Sequence, residues 1–324
     1  MIYINEAAKV EVDLNNPLIQ NALDVYKFTN TKSFTNRAVA SCFVNTLNLI
    51  ADAHEQKEFK DTFEVALKPM AENKKVLILF SGGLDSVYQA MNLREKGYEV
   101  TLFHLRNQNK YTNGQEEKVV KLFAEKYSFP LFMGKFTSND KSEYKKYWQE
   151  NSWKNFLLYT IAYCYCIEND IGNISSGDDL RLSMSEAVVG TNLSDSKELT
   201  TTFIHDMSLN FIACDGDKES RLRFIFDNNL ENDYYSCVSP GRMNQYWHNY
   251  YSKKFNISQV EKYNCLICRK CAMHLLLRKY YLHNITFDQE AENYLWKKVS
   301  IGADNVFFDL SIPLEKRIQN LKDY

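Results

Sequence analysis

The chain has 324 residues, 45% of them apolar and 25% charged, enough to bury a sizeable core in one large domain or two small ones. Lys and Arg number 39 against 41 Asp and Glu, and the net charge of −2 gives no global basic footprint, so nucleic acid is not an expected partner. No run of 18 apolar residues occurs, and the opening "MIYINEAAKVEVDL" has no basic stretch followed by an apolar one. The expectation is a cytoplasmic chain with no membrane partner.

In chain order, "MIYIN" and "KVEVDL" are β-prone and "SFTNRAVASCFVNTLNLIADAHEQKEF" is helical in pattern; residues 1–72 read as an N-terminal extension without a catalytic motif. From Val76 the pattern alternates strand and helix. "VLILF" predicts a buried strand, and Val87, Met91 and Leu93 suit one face of the helix after it. "YEVTLFHL" is a second strand, "EEKVVKLFAEKYS" an amphipathic helix and "PLFMGKF" a third strand. "SWKNFLLYTIAYCYCIEND" is a long helix, and "GNISSGDDL" a fourth short strand ending in a loop. This order predicts a parallel sheet with helices on both faces over residues 73–195. Residues 196–324 read as mostly helical, interrupted by a cysteine region.

Between the first strand and its helix lies Ser81-Gly82-Gly83-Leu84-Asp85-Ser86. A glycine turn at a helix N-terminus exposes backbone N–H groups at the positive end of the helix dipole, which is an anion site. No Lys follows the glycines as a Walker loop requires, and no third glycine follows as the dinucleotide fingerprint requires. The SGGxDS signature of the PP-loop ATP pyrophosphatases matches at every fixed position. Gly82 and Gly83 let the backbone approach phosphates, Ser81 and Ser86 add hydroxyl donors, and Asp85 is suited to Mg²⁺ beside a departing pyrophosphate. Ser81, Asp85 and Ser86 are therefore the expected catalytic residues, and the whole turn is the expected ATP site. The plainer alternative is a glycine turn with Ser86 or Asp85 as helix cap.

The eight cysteines do not form a dense disulfide framework, and three of them, Cys265, Cys268 and Cys271, form a C-x₂-C-x₂-C run leading into a helix. That spacing suits a tetrahedral Zn²⁺, which needs a fourth ligand. Cys237 in "YYSCVSPGR" is the first choice, with His274 and His248 as weaker candidates. Cys268 and Cys271 also have redox C-x-x-C spacing. Cys42, Cys164 and Cys166 suit core positions. Asp178 and Asp179 are candidates for metal or substrate, or else solvated caps. Lys253-Lys254 with Tyr250-Tyr251 read as a solvated helix face.

The turn and the cysteines together resemble the 7-cyano-7-deazaguanine synthase (QueC) family over roughly residues 75–285. "SCVSP" and "CLICRKCAMHLLLRKYY" stand for that family's zinc segments. Asn155 stands at the position of its GRN-type helix start, with Lys154 where Arg is usual, and "ISSGDD" is similar to the strand end whose glycine, here Gly177, lines the nucleotide and substrate cleft. The resemblance implies an adenine nucleotide alpha hydrolase-like fold with a helical zinc-bearing C-terminal part. It also implies ATP, Mg²⁺ and Zn²⁺ as cofactors, and ATP-dependent C–N ligase chemistry on 7-carboxy-7-deazaguanine with ammonia, toward queuosine. Relatives dimerise, which implies a homodimer.

Three features depart from the family. Its second-strand loop carries a YGQ-x-H type sequence of which Gln115 is the remnant, 27 residues separate Cys237 from Cys265 (265 − 237 − 1), and residues 1–72 have no counterpart in compact members. Such additions suit QueC-like proteins of anti-phage defence systems, in which the activated deazaguanine is joined to an amine on a protein acceptor. A PP-loop is also compatible with sulfur transfer to tRNA, or with a non-catalytic scaffold that binds nucleotide.

Overall fold

A computed structural model describes residues 2–4, 8–10, 72–106, 113–136, 162, 165–166, 169–177, 211–239, 241–301 and 308–323. The helical pattern over residues 33–59, Cys42, Lys154, Asn155, Cys164 and the Asp178-Asp179 pair lie outside these. The chain divides into two compact units interleaved in sequence. The first takes Met1–Phe80, Gln89–Gln108 and Phe129–Cys214; the second takes Ser81–Tyr88, Asn109–Ser128 and Asp215–Tyr324.

The first unit holds the sheet. Strand β3 (Lys75–Leu79) is the middle of its five parallel strands, and Val76, Leu77 and Ile78 are fully buried, so both faces of the strand are covered. It pairs in parallel with β4 (Glu99–Arg106) on one side and with β6 (Asn173–Ser176) on the other. Beyond β4 lies parallel β5 (Leu131–Phe136), followed by the antiparallel strands β1 (Ile2–Ile4) and β2 (Ala8–Val10). The order among the described residues is β2-β1-β5-β4-β3-β6-β7. The last member corrects the sequence pattern, which has no strand after Ser194. Strand β7 is only Phe211–Ile212, paired with Ile174 and Ser175, too short for alternation to register.

Strands leave β3 in both directions, which makes its C-terminal end the switch point of the sheet, where open α/β sheets bind ligands. That end is fastened from β4: Phe80 N–H donates to Phe103 O at 2.8 Å, and His104 Nδ1–H donates to Phe80 O at 2.9 Å. Behind β4, the rings of Phe103 and Phe132 stack with centroids 5.1 Å apart, and Tyr165 tilts against both. Helix α1 (Leu84–Glu95) contributes Ala90 and Leu93 to this core, and Gln89, fully buried, donates through Nε2 to Ser175 Oγ at 2.8 Å.

At the opposite end of β3 an asparagine sets the register. Asn73 Oδ1 accepts the N–H groups of Lys75 and Gly172, its Nδ2 donates to Asp170 O, and its own carbonyl accepts Asn173 Nδ2 at 2.7 Å. Replacing it leaves two strand-end donors unsatisfied. Asn73→Ala is expected to lower stability by about 1–3 kcal/mol in urea unfolding followed by circular dichroism. Asn73→Asp, which keeps the acceptor, should lose less.

The second unit is helical among its described residues: the first turn of α1, then α2 (Asn113–Lys126), α3 (Lys218–Asp227), α4 (Gly241–Lys254), α5 (Arg269–Leu277), α6 (Gln289–Val299) and α7 (Leu314–Asp323). Helix α3 is capped by Asp217, whose side chain accepts Ser220 N–H, and α6 by Asp288 in the same way. Helix α5 widens into a π turn at Arg278–Leu282. Arg278 is 2% exposed and is matched on every side, by Glu261 at 3.2 Å, Gln259 O, Asn284 Oδ1 and the face of Phe226.

Candidate functional site

The turn after Phe80 is built from short-range hydrogen bonds. Gly83 N–H donates to Ser81 Oγ at 3.3 Å, and Ser86 Oγ donates to Gly83 O at 3.0 Å. Ser81 and Ser86 hydroxyls lie 3.3 Å apart. Gly82 has φ +73°, and a Cβ there would meet Val120 Cγ2 at 3.3 Å, so both conformation and space require glycine. Leu84 begins α1, so the first-turn N–H groups face the turn.

A second segment grips the turn from outside. Tyr235 N–H donates to Gly82 O at 2.6 Å, and Ser236 Oγ accepts Leu84 N–H at 2.9 Å. Tyr235 is anchored through its hydroxyl to Ser239 O.

Asp85 does not stand alone. Lys218 Nζ reaches its carboxylate at 2.6 Å, and Arg221 Nη1 at 3.0 Å. The aspartate side chain is 28% exposed, Lys218 20% and Arg221 3%, so the guanidinium is buried behind the pair while the ammonium is nearer solvent. Burial pushes the Asp85 carboxyl up, but the charges of Lys218 and Arg221 and their hydrogen bonds outweigh it and bring it down to about 2. Helix α3 is held in this position by Tyr88, whose hydroxyl donates to Asp215 Oδ1 at 2.8 Å and whose ring meets Phe224 edge-on. Arg221 Nε also donates to Asp215 O. Lys218 and Arg221 were not legible as site residues: "GDKESRLRF" carries the charges of an ordinary solvated helix, far from Asp85 in sequence.

One residue after Ser236 comes Cys237. Its sulfur gathers with those of Cys265, Cys268 and Cys271, all four within 4.8 Å of one another. Cys265 and Cys271 are 3.8 Å apart, and Cys268 and Cys237 4.0 Å. Backbone N–H groups point at these sulfurs, from Ser239 to Cys237, from Cys265 to Cys271 and from Cys268 to Cys265, each at 3.3 Å, and Asn244 Nδ2 adds another to Cys237. Leu266 takes a left-handed φ of +61° so that the chain can turn back between ligands, with its N–H held by Asn264 Oδ1. Hydrogen bonds from Cys237 first, then from Cys265 and Cys271, pull the Cys268 thiol well below its usual range; burial pushes the Cys271 thiol up. Four sulfurs with N–H donors behind them and only Cys268 partly exposed could hold a metal ion.

The histidines are engaged elsewhere. His248 Nδ1 donates to Asn264 O at 2.7 Å, and His274 is bonded to the Tyr234 hydroxyl and pushed down to about 4 by burial, with Lys218 adding to the effect. Gly177 follows the end of β6 in the first unit; Cys166 is a buried core residue; Gln115 lies in the first turn of α2 against Gly241. Tyr250, Lys253 and Lys254 are on the exposed side of α4.

Comparison with known proteins adds three findings. A family model described as "Thiamine biosynthesis protein (ThiI)" matches residues 71–180. The "7-cyano-7-deazaguanine synthase 2" of Sulfurisphaera tokodaii is 36% identical over 94 residues, 28% of this chain and 20% of that protein, so the chain spans about a fifth of the length of that relative. Among solved structures, the U34-tRNA thiolase NcsA from Methanococcus maripaludis with its 4Fe–4S cluster superposes with a TM-score of 0.39 at 16% identity, over 61% of this chain and 66% of that one. No helix among the described residues is long and apolar enough to cross a membrane.

The Asp85 cluster gives a signed expectation. A carboxyl held at about 2 when folded, against an ordinary 3.8, adds stability that is complete above about pH 4 and is lost as pH falls toward 2. Asp85→Asn should therefore be less stable than wild type at neutral pH, and the gap should close on acidification through that window, read by chemical unfolding at each pH. A gap that stays constant with pH would contradict the pairing.

Proposed function

We propose that the chain binds ATP at Ser81–Ser86, cleaves it between the α and β phosphates, and activates the carboxylate of 7-carboxy-7-deazaguanine for attack by an amine. The stretch of 36% identity with a 7-cyano-7-deazaguanine synthase carries this reading. The phosphate turn and the four-cysteine site, both within one compact unit, support it. In the first step a substrate carboxylate oxygen attacks the α phosphorus, and pyrophosphate leaves. In the second, ammonia attacks the acyl carbon, AMP leaves with its oxygen, and an amide remains. Nitrile formation repeats the activation on the amide oxygen.

The protein supplies position and charge. The turn's N–H groups and the Ser81 hydroxyl orient the phosphates, with Ser86 Oγ bracing the turn through Gly83 O. Arg221, buried, is a fixed cation, while Lys218 on its flexible stem can turn from Asp85 toward the departing pyrophosphate. Asp85 would hold Mg²⁺, which supplies charge neutralisation at the phosphates. Cys237, Cys265, Cys268 and Cys271 would hold Zn²⁺. Arms of about 2.3 Å give tetrahedral edges of about 3.8 Å, against sulfur separations of 3.8 and 4.0 Å. A four-iron cube, with each thiolate pointing outward from its own iron, needs its sulfurs farther apart. One zinc and no iron per chain is the expected result of elemental mass spectrometry on purified protein, and Cys271→Ser should lower both zinc content and thermal stability.

A protein amine as acceptor is the second reading, in the manner of anti-phage conjugation systems. The observation favouring it is that the 27-residue segment before Cys265 contains α4, which leaves Met243, Tyr246 and Tyr250 45–56% exposed. Such a surface suits a macromolecular partner better than ammonia does.

The test is mass-spectrometric, with Mg-ATP and 7-carboxy-7-deazaguanine, with and without ammonium. Ammonium-dependent amide or nitrile with AMP is the expected result, and Asp85→Ala and Lys218→Ala should each lower AMP formation by about 100-fold. AMP or an accumulating adenylate without either product favours the protein acceptor. No AMP overturns the substrate assignment and leaves tRNA or scaffold roles.

A further inference from the structure

Three hydroxyls border the phosphate turn, and only two belong to the motif. The third is Ser236, from a segment 150 residues further along the chain (236 − 86). Its Oγ accepts the Leu84 N–H at 2.9 Å, and it lies 3.6 Å from where a Cβ on Gly83 would be, a position that Ser81 Oγ approaches to 3.2 Å. With that lone pair engaged, the hydroxyl has its own proton left to give, and among the described residues that proton has no acceptor. Next along the chain are Cys237, whose sulfur belongs to the four-cysteine site, and, on the other side, Tyr235, whose N–H holds Gly82 O at 2.6 Å.

We propose that Ser236 is a nucleotide-binding residue of the phosphate turn, donating its hydroxyl proton to a phosphate oxygen, and that its bond to Cys237 makes nucleotide affinity depend on the metal site. This rests on the ATP reading above. The physical reasoning is local. A turn that binds through backbone N–H groups works only if those groups are held in place before the ligand arrives, since ordering them afterwards costs conformational entropy. Gly82 O and Leu84 N–H are fixed from outside the motif by Tyr235 and Ser236, and both partners lie within two residues of Cys237. A tetrahedral ion that fixes Cys237 therefore also fixes Tyr235 and Ser236. The serine hydroxyl adds a donor that a helix N-terminus lacks, in the manner of Ser81.

The experiment measures binding of a non-hydrolysable ATP analogue by calorimetry, for wild type, Ser236→Ala and Ser236→Thr, each with metal content assayed and amide hydrogen exchange read over residues 81–88. Ser236→Ala should bind the analogue about 10- to 100-fold more weakly, the range for losing a hydrogen bond to a charged group. It should retain its metal, and its 81–88 amides should exchange faster. Ser236→Thr, which keeps the hydroxyl, should recover most of the affinity. Chelation of the wild type should weaken analogue binding, and chelation of Ser236→Ala should add a smaller further loss, because the two act through one clasp. Ser236→Ala binding as tightly as wild type would overturn the proposal, even if chelated protein proves too unstable to assay. Weak binding with equal loss in Ser236→Thr would reduce Ser236 to a packing role and overturn it too. A wild type that binds no analogue at all would overturn the ATP reading itself, and this inference with it.

Discussion

The helical unit is organised around a constraint at the turn between β3 and α1: two adjacent glycines at a helix N-terminus must be held in one conformation. Left to itself, a turn of two glycines at a helix N-terminus would collapse onto its own donors or fray. Two hydrogen bonds from one distant segment prevent this, Tyr235 N–H to Gly82 O and Leu84 N–H to Ser236 Oγ. Each uses a group that the turn cannot satisfy internally. The segment that provides them is itself fixed at both ends, by the Tyr235 hydroxyl on Ser239 O and by the donors behind Cys237.

Charge obeys the same logic. Arg221 is 3% exposed, and a guanidinium at that depth without a counter-ion would be strongly destabilising. Asp85 supplies the counter-ion, shared with Lys218, and the trio carries one net positive charge close to a helix N-terminus. An anion arriving there meets a positive field from dipole and side chains together, in a setting less screened than open water. The same carboxylate thus neutralises part of the buried charge of Arg221 and, in the proposed mechanism, is the ligand available to a divalent ion.

The sheet was largely legible because its strands are buried on both faces: "VLIL" and "VTLFHL" admit few other interpretations. The turn itself was legible because six consecutive residues carry its pattern, two glycines between a buried strand and a helix start. What escaped was whatever depends on tertiary assembly. Two residues suffice for β7 because a sheet already exists for Phe211 and Ile212 to join. Lys218 and Arg221 sit on α3 among alternating charges, and contacts distant in sequence, among them the Tyr88–Asp215 bond between residues 127 positions apart and the Tyr88–Phe224 ring pair, bring that helix to Asp85. Ser236 was hidden beside Cys237, whose residue type drew notice where a serine did not.

The long separation of Cys237 from Cys265 shows why sequence spacing is a weak guide to which cysteines gather in space. A loop's closure entropy grows only as the logarithm of its length, so 27 intervening residues cost little more than a dozen would, at roughly 0.6 kcal/mol per doubling. Here the intervening chain is not slack. Helix α4 reaches back through Asn244, which donates from one Nδ2 group to both Cys237 Sγ and Tyr263 O, and through His248, which donates to Asn264 O. Trp247 packs against the cysteine cluster from the same helix. The insertion therefore fastens the first cysteine to the residues just before the other three, leaving its far side, with Tyr246 and Tyr250 outward, open to acquire a use of its own.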